Sequence, residues 1–380
     1  MLTEKQTNLS LDLRRDAWLE IDLDAVRHNL NLVKSWTKSP IMGVVKGDAY
    51  GHGAVEFSRL LLTLDINWLG VASAAEALDL RDSLCEPGEK KARILILSPA
   101  PESSIAQLIE RDIDLTVTSK EQIEQISSIA QKINTRARIH LKMDSGMHRL
   151  GARLEDLSLL LDLVKTKSVK LISIYSHLAK SGDLATTKFQ HENFVSCLNF
   201  VKNKIPPDVF VHLANSEATR NFSFSNLDMV RIGLYLYGLE ARTKSSDLRP
   251  AMALKARITH LTEIKAMEGA GYDWTFVASK DGRLASIPVG YADGVPRRLS
   301  NKIIGYVHGK PVKQAGTISM DQMLFDVSDV PEVKTGDIIT LLDANIDELN
   351  LAHWAELDQT ITYELACALA LRLPRIYNNK

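Results

Sequence analysis

The stretch "PIMGVVKGDAYGHG", residues 40 to 53, joins an apolar run to a glycine-rich turn through a single lysine, Lys46. The β-branched and apolar residues of 40–46 predict a strand that is buried on both faces, as in a parallel sheet. Surface lysines usually lie in polar, helix-patterned segments, whereas Lys46 comes where the buried strand ends. This position raises the question of what the lysine does there.

Seven further apolar runs follow at intervals that leave room for a helix. They are residues 68–73, 93–98, 114–119, 138–144, 171–177, 209–216 and 229–238. Segments with helical spacing lie between them, such as "KEQIEQISSIAQKI", so strands and helices alternate. Eight parallel strands with crossovers predict a (β/α)8 TIM-type barrel over residues 14–248. A doubly wound open sheet is the alternative, because the gap from 216 to 229 is short for a full helix.

The sequence changes character after residue 248. Short apolar runs such as "RLASIPVG" and "MLFDVS" are separated by turn residues without long helices, which predicts a predominantly β domain over 249–380. One late helix, "LNLAHWAEL", and an amphipathic stretch, "TYELACALALRL", complete it. Residues 1–13 are expected to form an N-terminal tail, and a chain of 380 residues fits two domains.

Composition excludes several classes of protein. With 45% hydrophobic and 24% charged residues and a net charge of −1, the chain can bury a core and has no attraction for nucleic acid or anionic membranes. Cys85, Cys197 and Cys367 are odd in number and widely spaced, which predicts neither a disulfide framework nor a metal site. The N-terminus lacks an apolar signal region, and no window approaches the ~18 apolar residues of a membrane helix. We therefore expect a cytoplasmic protein.

Polar and small residues collect where the predicted strands end, which is where barrel enzymes have their active sites. They are Lys46, Asp144, His177, Asn215, Ser216, Arg231 and Gly233. The last two strands of such barrels often form a phosphate site from backbone amides and a hydroxyl, which "NS" and "RIGL" supply. A lysine facing a phosphate site suits pyridoxal 5'-phosphate, which needs an amine and an anchor.

Each of these residues also has a purely structural explanation. A lysine after a strand is usually a solvated charge, and an isolated histidine, asparagine or serine is usually a core or capping residue. Arg231 inside an apolar strand is harder to dismiss, because a buried guanidinium without partners is costly. The prediction of a cofactor enzyme therefore depends on these residues occurring together at the strand ends.

Motifs along almost the whole chain resemble those of the alanine racemases, in the same order. They are "VVKGDAYGHG", "KMDSGMHRLG", "YSHLA", "HLANSEA", "MVRIGLYLYG", "IPVGYADGVPRR" and "GTISMDQ". The resemblance implies an N-terminal barrel, a C-terminal β domain, a head-to-tail homodimer and interconversion of L- and D-alanine, with D-alanine supplied to peptidoglycan. The lysine motif alone is shared with barrel-type decarboxylases and cofactor carriers.

The resemblance also implies roles for individual residues. Lys46 would carry the cofactor and act as acid or base on one face of the substrate α-carbon, and Tyr272, contributed across the dimer, would act on the other. Arg231 would face the pyridine nitrogen, and His177 would relay between Arg231 and Tyr272. The other implied contacts are Tyr50, Ser216, Gly233 and Leu234 for phosphate, Arg149 and Met320 for the substrate carboxylate, a carbamylated Lys142 beside Arg149, and Tyr291 with Asp321 at the access corridor.

Three positions depart from the family pattern. Leu371 stands where a tyrosine often reaches the phosphate, which implies the loss of a hydrogen bond of roughly 1 kcal/mol. Gly47 replaces the commoner alanine, and His148 occupies a usually small position. Two alternatives to the alanine racemase stay open, a racemase of broader specificity and a barrel-type amino-acid decarboxylase; Arg231 and Tyr272 argue against the second. A cofactor carrier is disfavoured because carriers lack the β domain.

Overall fold

The computed structural model describes residues 15–84, 91–239, 247–343, 346–369 and 372–379. These residues form two compact units, one over Leu23–Ala251 and one that combines the chain up to Asp22 with Met252–Asn379. The predicted tail over 1–13, Cys85 and Leu371 lie outside the described residues. Among the residues that are described, no helix is long and apolar enough to cross a membrane.

The first strand, β1 (Ala17–Asp22), belongs to the second unit, although the prediction counted it with the barrel. It pairs antiparallel with Met252–Arg257 and parallel with Arg375–Asn378. Its local pattern resembles that of the barrel strands. The difference arises from backbone pairing with segments more than 200 residues away, which no local pattern reports.

Eight parallel strands form the barrel of the first unit. In chain order they are β2 (Ile41–Val44), β3 (Trp68–Val71), β4 (Arg93–Ile96), β5 (Ile113–Val117), β6 (Ala137–Asp144), β8 (Val169–Tyr175), β9 (Phe210–His212) and β10 (Val230–Ile232). The short β7 (Ala152–Arg153) pairs with β6 and is not one of the eight. Around the barrel the order is β10-β2-β3-β4-β5-β6-β8-β9. A parallel bridge between His212 and Met229 brings the two ends together, so the ring is nearly closed. The predicted (β/α)8 barrel is confirmed.

Besides the segment Lys46–Tyr50, the described part of the unit has eight α-helices, one before β2 and seven between the barrel strands. They are Leu23–Trp36, Ala54–Thr63, Ala74–Ser83, Glu102–Glu110, Lys120–Lys132, Leu157–Lys165, Leu184–Phe200 and Ser216–Asn221. Several begin at residues that cap a helix well, such as Ser73 and Ser119, whose hydroxyls accept from backbone amides of the first turn. The last helix has six residues, which explains why the gap from 216 to 229 is short. This short gap was the reason for the alternative prediction of a doubly wound open sheet.

Gly43 shows how closely helix and strand pack at the site. A Cβ atom at this position of β2 would lie 2.5 Å from Leu61 Cδ1 on the helix Ala54–Thr63. Only glycine lets the helix approach the strand to this distance. The segment between β2 and this helix contains Lys46, and the close packing of strand and helix fixes both of its ends.

The second unit is predominantly β, as predicted. Its further strands are β11 (Met252–Arg257), β12 (His260–Ile264), β13 (Gly269–Ala270), β14 (Phe276–Val277), β15 (Gly282–Ile287), β16 (Ile304–Val307), β17 (Lys310–Ala315), β18 (Met323–Asp326), β19 (Ile338–Leu342) and β20 (Arg375–Asn378). Nine strands form one sheet in the order β12-β15-β18-β17-β16-β19-β11-β1-β20, and β13 pairs with β14. Two helices, Leu351–Asp358 and Thr362–Ala368, complete the unit.

Candidate active site

Lys46 begins a left-handed turn. β2 ends at Val44, two residues earlier than the apolar run predicted. The strand cannot continue because the backbone adopts the left-handed conformation after Lys46. Gly47, Asp48 and Ala49 have φ of 61°, 52° and 54°, and Tyr50 has 52°. L-residues rarely adopt this conformation, and such strain is concentrated at functional sites. Lys46 itself lies two residues after β2 ends, at the carboxyl end of that strand.

Glu76 ties the lysine turn to the neighbouring strand. Its carboxylate accepts hydrogen bonds from the amides of Gly47 (2.6 Å), Ala72 (2.7 Å) and Ser73 (3.0 Å). Loops after β2 and β3 therefore share one acceptor. Sequence reasoning gave Glu76 no role, although the capping-box pattern "SAAE" was a signal that could have found it.

Three of the residues predicted to contact phosphate lie together. The amide of Gly233 donates to Ser216 Oγ over 3.1 Å. A Cβ atom at Gly233 would lie 2.8 Å from the hydroxyl of Tyr50, so only glycine lets this hydroxyl approach the backbone so closely. Leu234 follows Gly233 and is half-buried. Asn215 instead caps the helix Ser216–Asn221, since its Oδ1 accepts from the amide of Ala218.

Arg231 is buried, and its two terminal nitrogens contact four acceptors. Its guanidinium donates to the carbonyls of Ser176 (2.7 Å) and Leu213 (2.9 Å), to His212 Nδ1 (2.8 Å) and to His177 Nδ1 (3.2 Å). Burial lowers the pKa of Arg231 to about 10, so the group stays cationic at neutral pH. The arginine is thus a fixed positive charge with a defined orientation.

His177 contacts Arg231 and lies near enough to three further cations, Lys46, Lys142 and Arg149, for their charges to act on it; these four residues are called the cationic cluster. Desolvation, and then the charges of these four residues, hold the pKa of His177 well below its ordinary value. The ring is therefore neutral. Because a guanidinium can only donate, His177 accepts at Nδ1 and carries its proton on Nε2.

Lys142 is buried within the same cluster. Desolvation and the cations Arg231, Arg149 and Lys46 lower the pKa of Lys142 to about 8, and the carboxylate of Asp144 opposes them. With this pKa roughly a tenth of the amine is uncharged at pH 7, far more than for an ordinary lysine. The cluster as a whole is positive, which suits an anionic ligand.

The loop after β6 carries Arg149 at an exposed position. Its start is held by Asp144, whose Oδ1 accepts from the amides of Gly146 (2.8 Å) and Met147 (2.9 Å). His148 has φ of 55° and is exposed, so its larger side chain meets no packing constraint at this position.

The remaining predicted residues lie in the second unit, on exposed turns. Tyr272 is 67% exposed, and its carbonyl accepts from Thr317 Oγ1. Met320 and Tyr291 lie on adjoining loops, because Ala292 N donates to Met320 O and Tyr291 N to Ser319 O, each over 3.0 Å. Asp321 accepts from Arg372 over 2.7 Å.

Three polar residues of the barrel interior were given no role from the sequence. His140, Ser173 and His212 are fully buried and hydrogen-bond to one another in series. The sequence contained a signal for them, because each is a polar residue within an otherwise apolar strand run, at a position that faces the barrel interior. Across the described ranges, no cluster of three histidine, cysteine or carboxylate groups has the arrangement of a metal site.

A parallel barrel with a lysine and a buried arginine at its carboxyl rim, followed by a β unit with an exposed tyrosine, defines a class of two-domain barrel enzymes. The family model described as "Alanine racemase, N-terminal domain" matches residues 21–241, and "Alanine racemase, C-terminal domain" matches 251–377. Together they span nearly the whole chain. The chain therefore belongs to the alanine racemase family, a family of isomerases.

Individual relatives agree with this assignment. The alanine racemase of Synechocystis sp. is 36% identical over 375 residues, covering 96% of this chain and 99% of the relative. That of Nostoc sp. is 37% identical and covers 99% of both chains. Among solved structures, the alanine racemase of Clostridium difficile 630 has a TM-score of 0.88 at 30% identity, with 96% of each chain covered. The Bacillus anthracis alanine racemase with bound L-Ala-P has a TM-score of 0.87 at 32% identity, covering 96% of this chain and 95% of that one.

Proposed function

We propose that this chain interconverts L-alanine and D-alanine with pyridoxal 5'-phosphate as cofactor, in the cytoplasm, and that the D-alanine serves peptidoglycan synthesis. The observation that carries the proposal is the cationic cluster around neutral His177, at the rim where Lys46 lies. Membership of the alanine racemase family supports the reaction. The thiol of Cys197 donates to the carbonyl of Leu154 and forms no disulfide, which suits a reducing compartment.

The rim residues fit this cofactor. The hydroxyls of Tyr50 and Ser216 both lie next to the amide of Gly233, and phosphate oxygens accept from such donors. The amide of Leu234 adds a fourth donor, and Asn215 holds the helix that carries Ser216. Lys46 supplies the amine for covalent attachment. The cofactor, when bound, withdraws electrons from the α-carbon of the attached amino acid.

Racemisation requires that a proton leave one face of the α-carbon and that another return to the opposite face. We assign these steps to the amine of Lys46 and to the hydroxyl of Tyr272 in the partner subunit. His177, neutral and protonated at Nε2, has a donor directed away from Arg231 and is suited to relay towards that tyrosine.

Arg231 discriminates this function from decarboxylation. We propose that it donates towards the pyridine nitrogen and, being cationic, leaves that nitrogen without a proton, which limits how far charge spreads into the ring. A carboxylate at the same position would have the opposite effect. Proton return at the α-carbon is then favoured over competing reactions.

Further residues would bind the substrate carboxylate and shape access. We assign the carboxylate to Arg149 and to the amide of Met320, and the access corridor to Tyr291 and Asp321. Lys142 fits the family's carbamylated lysine, because its lowered pKa leaves part of the amine uncharged and able to react with carbon dioxide. A carbamate would place an anion among the cations.

A head-to-tail homodimer would complete the site. Tyr272, Trp274 and Met320 are 67%, 69% and 52% exposed in the second unit, where large apolar side chains are usually buried. Grouped exposure of this kind is typical of an interface. The partner subunit would cover these residues and receive the tyrosine hydroxyl.

Incubation with L-alanine and added pyridoxal phosphate in deuterated water tests the proposal. We expect D-alanine with deuterium at the α-carbon and no carbon dioxide. The same assay with L-serine measures breadth of specificity. Release of carbon dioxide would move the function to a decarboxylase, and absence of D-alanine would contradict the proposal.

A further inference from the structure

A buried series of hydrogen bonds crosses the barrel interior and ends at Arg231. Arg231 Nη1 lies 2.8 Å from His212 Nδ1, and His212 Nε2 lies 2.9 Å from Ser173 Oγ. Ser173 Oγ lies 2.6 Å from His140 Nδ1, and His140 Nε2 lies 2.9 Å from Asp114 Oδ2. The four residues from Asp114 to His212 are fully buried, so water does not compete for these bonds.

Both ends of the series determine the direction of every proton. Arg231 can only donate, so His212 accepts at Nδ1 and donates from Nε2 to Ser173. The hydroxyl of Ser173 must then donate to His140 Nδ1. His140 in turn donates from Nε2 to Asp114, whose carboxylate can only accept. Each link therefore has one donor and one acceptor, with neither histidine doubly protonated.

Asp114 is held as an anion at the amino ends of the strands. Arg93 and Arg138 each approach its oxygens to 2.5 Å. Burial raises the pKa of Asp114, but the hydrogen bond from His140 and the neighbouring positive charges outweigh this and lower the pKa to about 2. Burial also lowers the pKa of both His140 and His212. An anionic Asp114 and two neutral histidines are the charge states that the hydrogen-bond directions require.

We propose that Asp114, His140, Ser173 and His212 are positioning residues that fix the tautomer of His212 and thereby the orientation of Arg231 at the rim. The inference rests on the proposed function, in which Arg231 donates to the cofactor ring. The physical reason is that a His212 tautomer with its proton on Nδ1 would place one N–H against another, and Arg231 would lose an acceptor and move. Barrel interiors are usually filled by apolar layers, so a polar series needs a reason of this kind.

Ser173→Ala breaks the series with the loss of one oxygen atom. Ser127→Ala is the matched control, because Ser127 is also buried and accepts one hydrogen bond, from the amide of Ser168, but lies outside the series. Ser173→Thr keeps the hydroxyl and tests rescue. All are studied as full-length protein with added pyridoxal phosphate.

The first readout is the ¹⁵N NMR spectrum of histidine-labelled protein, which reports tautomers without turnover. In the unaltered protein we expect His140 and His212 to be neutral and protonated at Nε2. In Ser173→Ala the Nε2–H of His212 loses its buried acceptor, so we expect Arg231 to shift and His212 to lose this single tautomer, whereas Ser127→Ala and Ser173→Thr keep both. A His212 protonated at Nδ1 in the unaltered protein would overturn the inference, whether or not any variant folds.

The second readout is kcat for racemisation. We expect Ser173→Ala to lower kcat about tenfold, the rate equivalent of one hydrogen bond of about 1.4 kcal/mol, with Ser127→Ala within about twofold of the unaltered protein. Equal kcat in the two alanine variants would refute a positioning role. If the unaltered protein shows the expected tautomers but makes no D-alanine, the proposed function fails while the tautomer assignment stands.

Discussion

Burial and charge act together on Lys142 at the scale of the single residue. Its folded-state pKa of about 8 lies below its ordinary value of 10.5. The unfolded chain therefore binds more protons between these two values, and stability rises as the pH rises from about 8 to about 10.5. Below about pH 8 the charged lysine imposes its full cost on the fold. At neutral pH the buried charge of Lys142 therefore lowers the free energy of unfolding.

Lys142→Met removes this charge and keeps the length of the side chain. We expect it to raise the free energy of unfolding at pH 7 by up to about 3 kcal/mol, and by much less at pH 10.5. Urea unfolding in bicarbonate-free buffer, where the amine stays unmodified, measures both. Lys132→Met, at an exposed helix end, is the control and should change stability by less than about 0.5 kcal/mol. An equal gain at both pH values would contradict the assigned pKa.

Arg231 depends on the shape of its guanidinium as well as its charge. Lys at this position keeps the charge but has one nitrogen, which cannot reach His212 and the carbonyls of Ser176 and Leu213 together. We expect Arg231→Lys to lower the free energy of unfolding by about 2 kcal/mol, because a buried carbonyl loses its donor. Arg136→Lys, whose exposed arginine contacts one carbonyl, is the control. If Arg231→Lys were as stable as Arg136→Lys, stability would not depend on the shape of the Arg231 guanidinium.

The left-handed turn after β2 is the decisive feature at the scale of the element. Non-glycine residues cost roughly 1–2 kcal/mol each in this conformation, so other contacts must maintain it. Gly47 carries no such penalty, and its departure from the commoner alanine therefore relieves strain. Asp48 Oδ1 caps the following helix at Ala54 over 2.7 Å, and Glu76 binds Gly47 from the other side.

Glu76→Gln tests whether the turn needs this support. The amide can replace only one carboxylate oxygen as acceptor, so either Gly47 or the pair Ala72 and Ser73 loses its partner. We expect a loss of about 1–2 kcal/mol in unfolding free energy and a lower kcat, because Lys46 lies in the same turn. Denaturant unfolding and the racemase assay measure these effects. Glu56→Gln, on an exposed helical ion pair, should change neither, and similar effects in both variants would count against the role of Glu76.

The shared site of the proposed dimer is testable at the scale of the whole molecule. Lys46→Ala and Tyr272→Phe each remove one proposed base, so each alone should lose at least about a hundredfold in kcat. Tyr272 is exposed, and its phenylalanine variant should keep its stability. If each site combines Lys46 of one chain with Tyr272 of the other, a mixed dimer has one intact site.

Unfolding and refolding of an equal mixture of the two variants should therefore restore about a quarter of the unaltered activity, since half of the dimers are mixed and each has one working site of two. Each variant refolded alone is the control. No recovery, with dimers present by light scattering, would show that both bases come from the same chain.

The local sequence determined much of this protein. Buried strand runs and helical spacing recur with the periods of the two structures, so the barrel, the β unit and the family follow from adjacent residues. The residues at the strand ends were identifiable for the same reason, because parallel strands present their carboxyl ends on one rim.

Only the tertiary structure decided the rest. The pairing of β1 with β11 and β20, the support of Gly47 by Glu76, and the series from Asp114 to Arg231 all join residues that are distant in the chain. Hydrogen bonds and pKa shifts depend on distances and desolvation, which exist only once the chain has folded. A local pattern reports which residues are buried, whereas the folded backbone decides which of them meet.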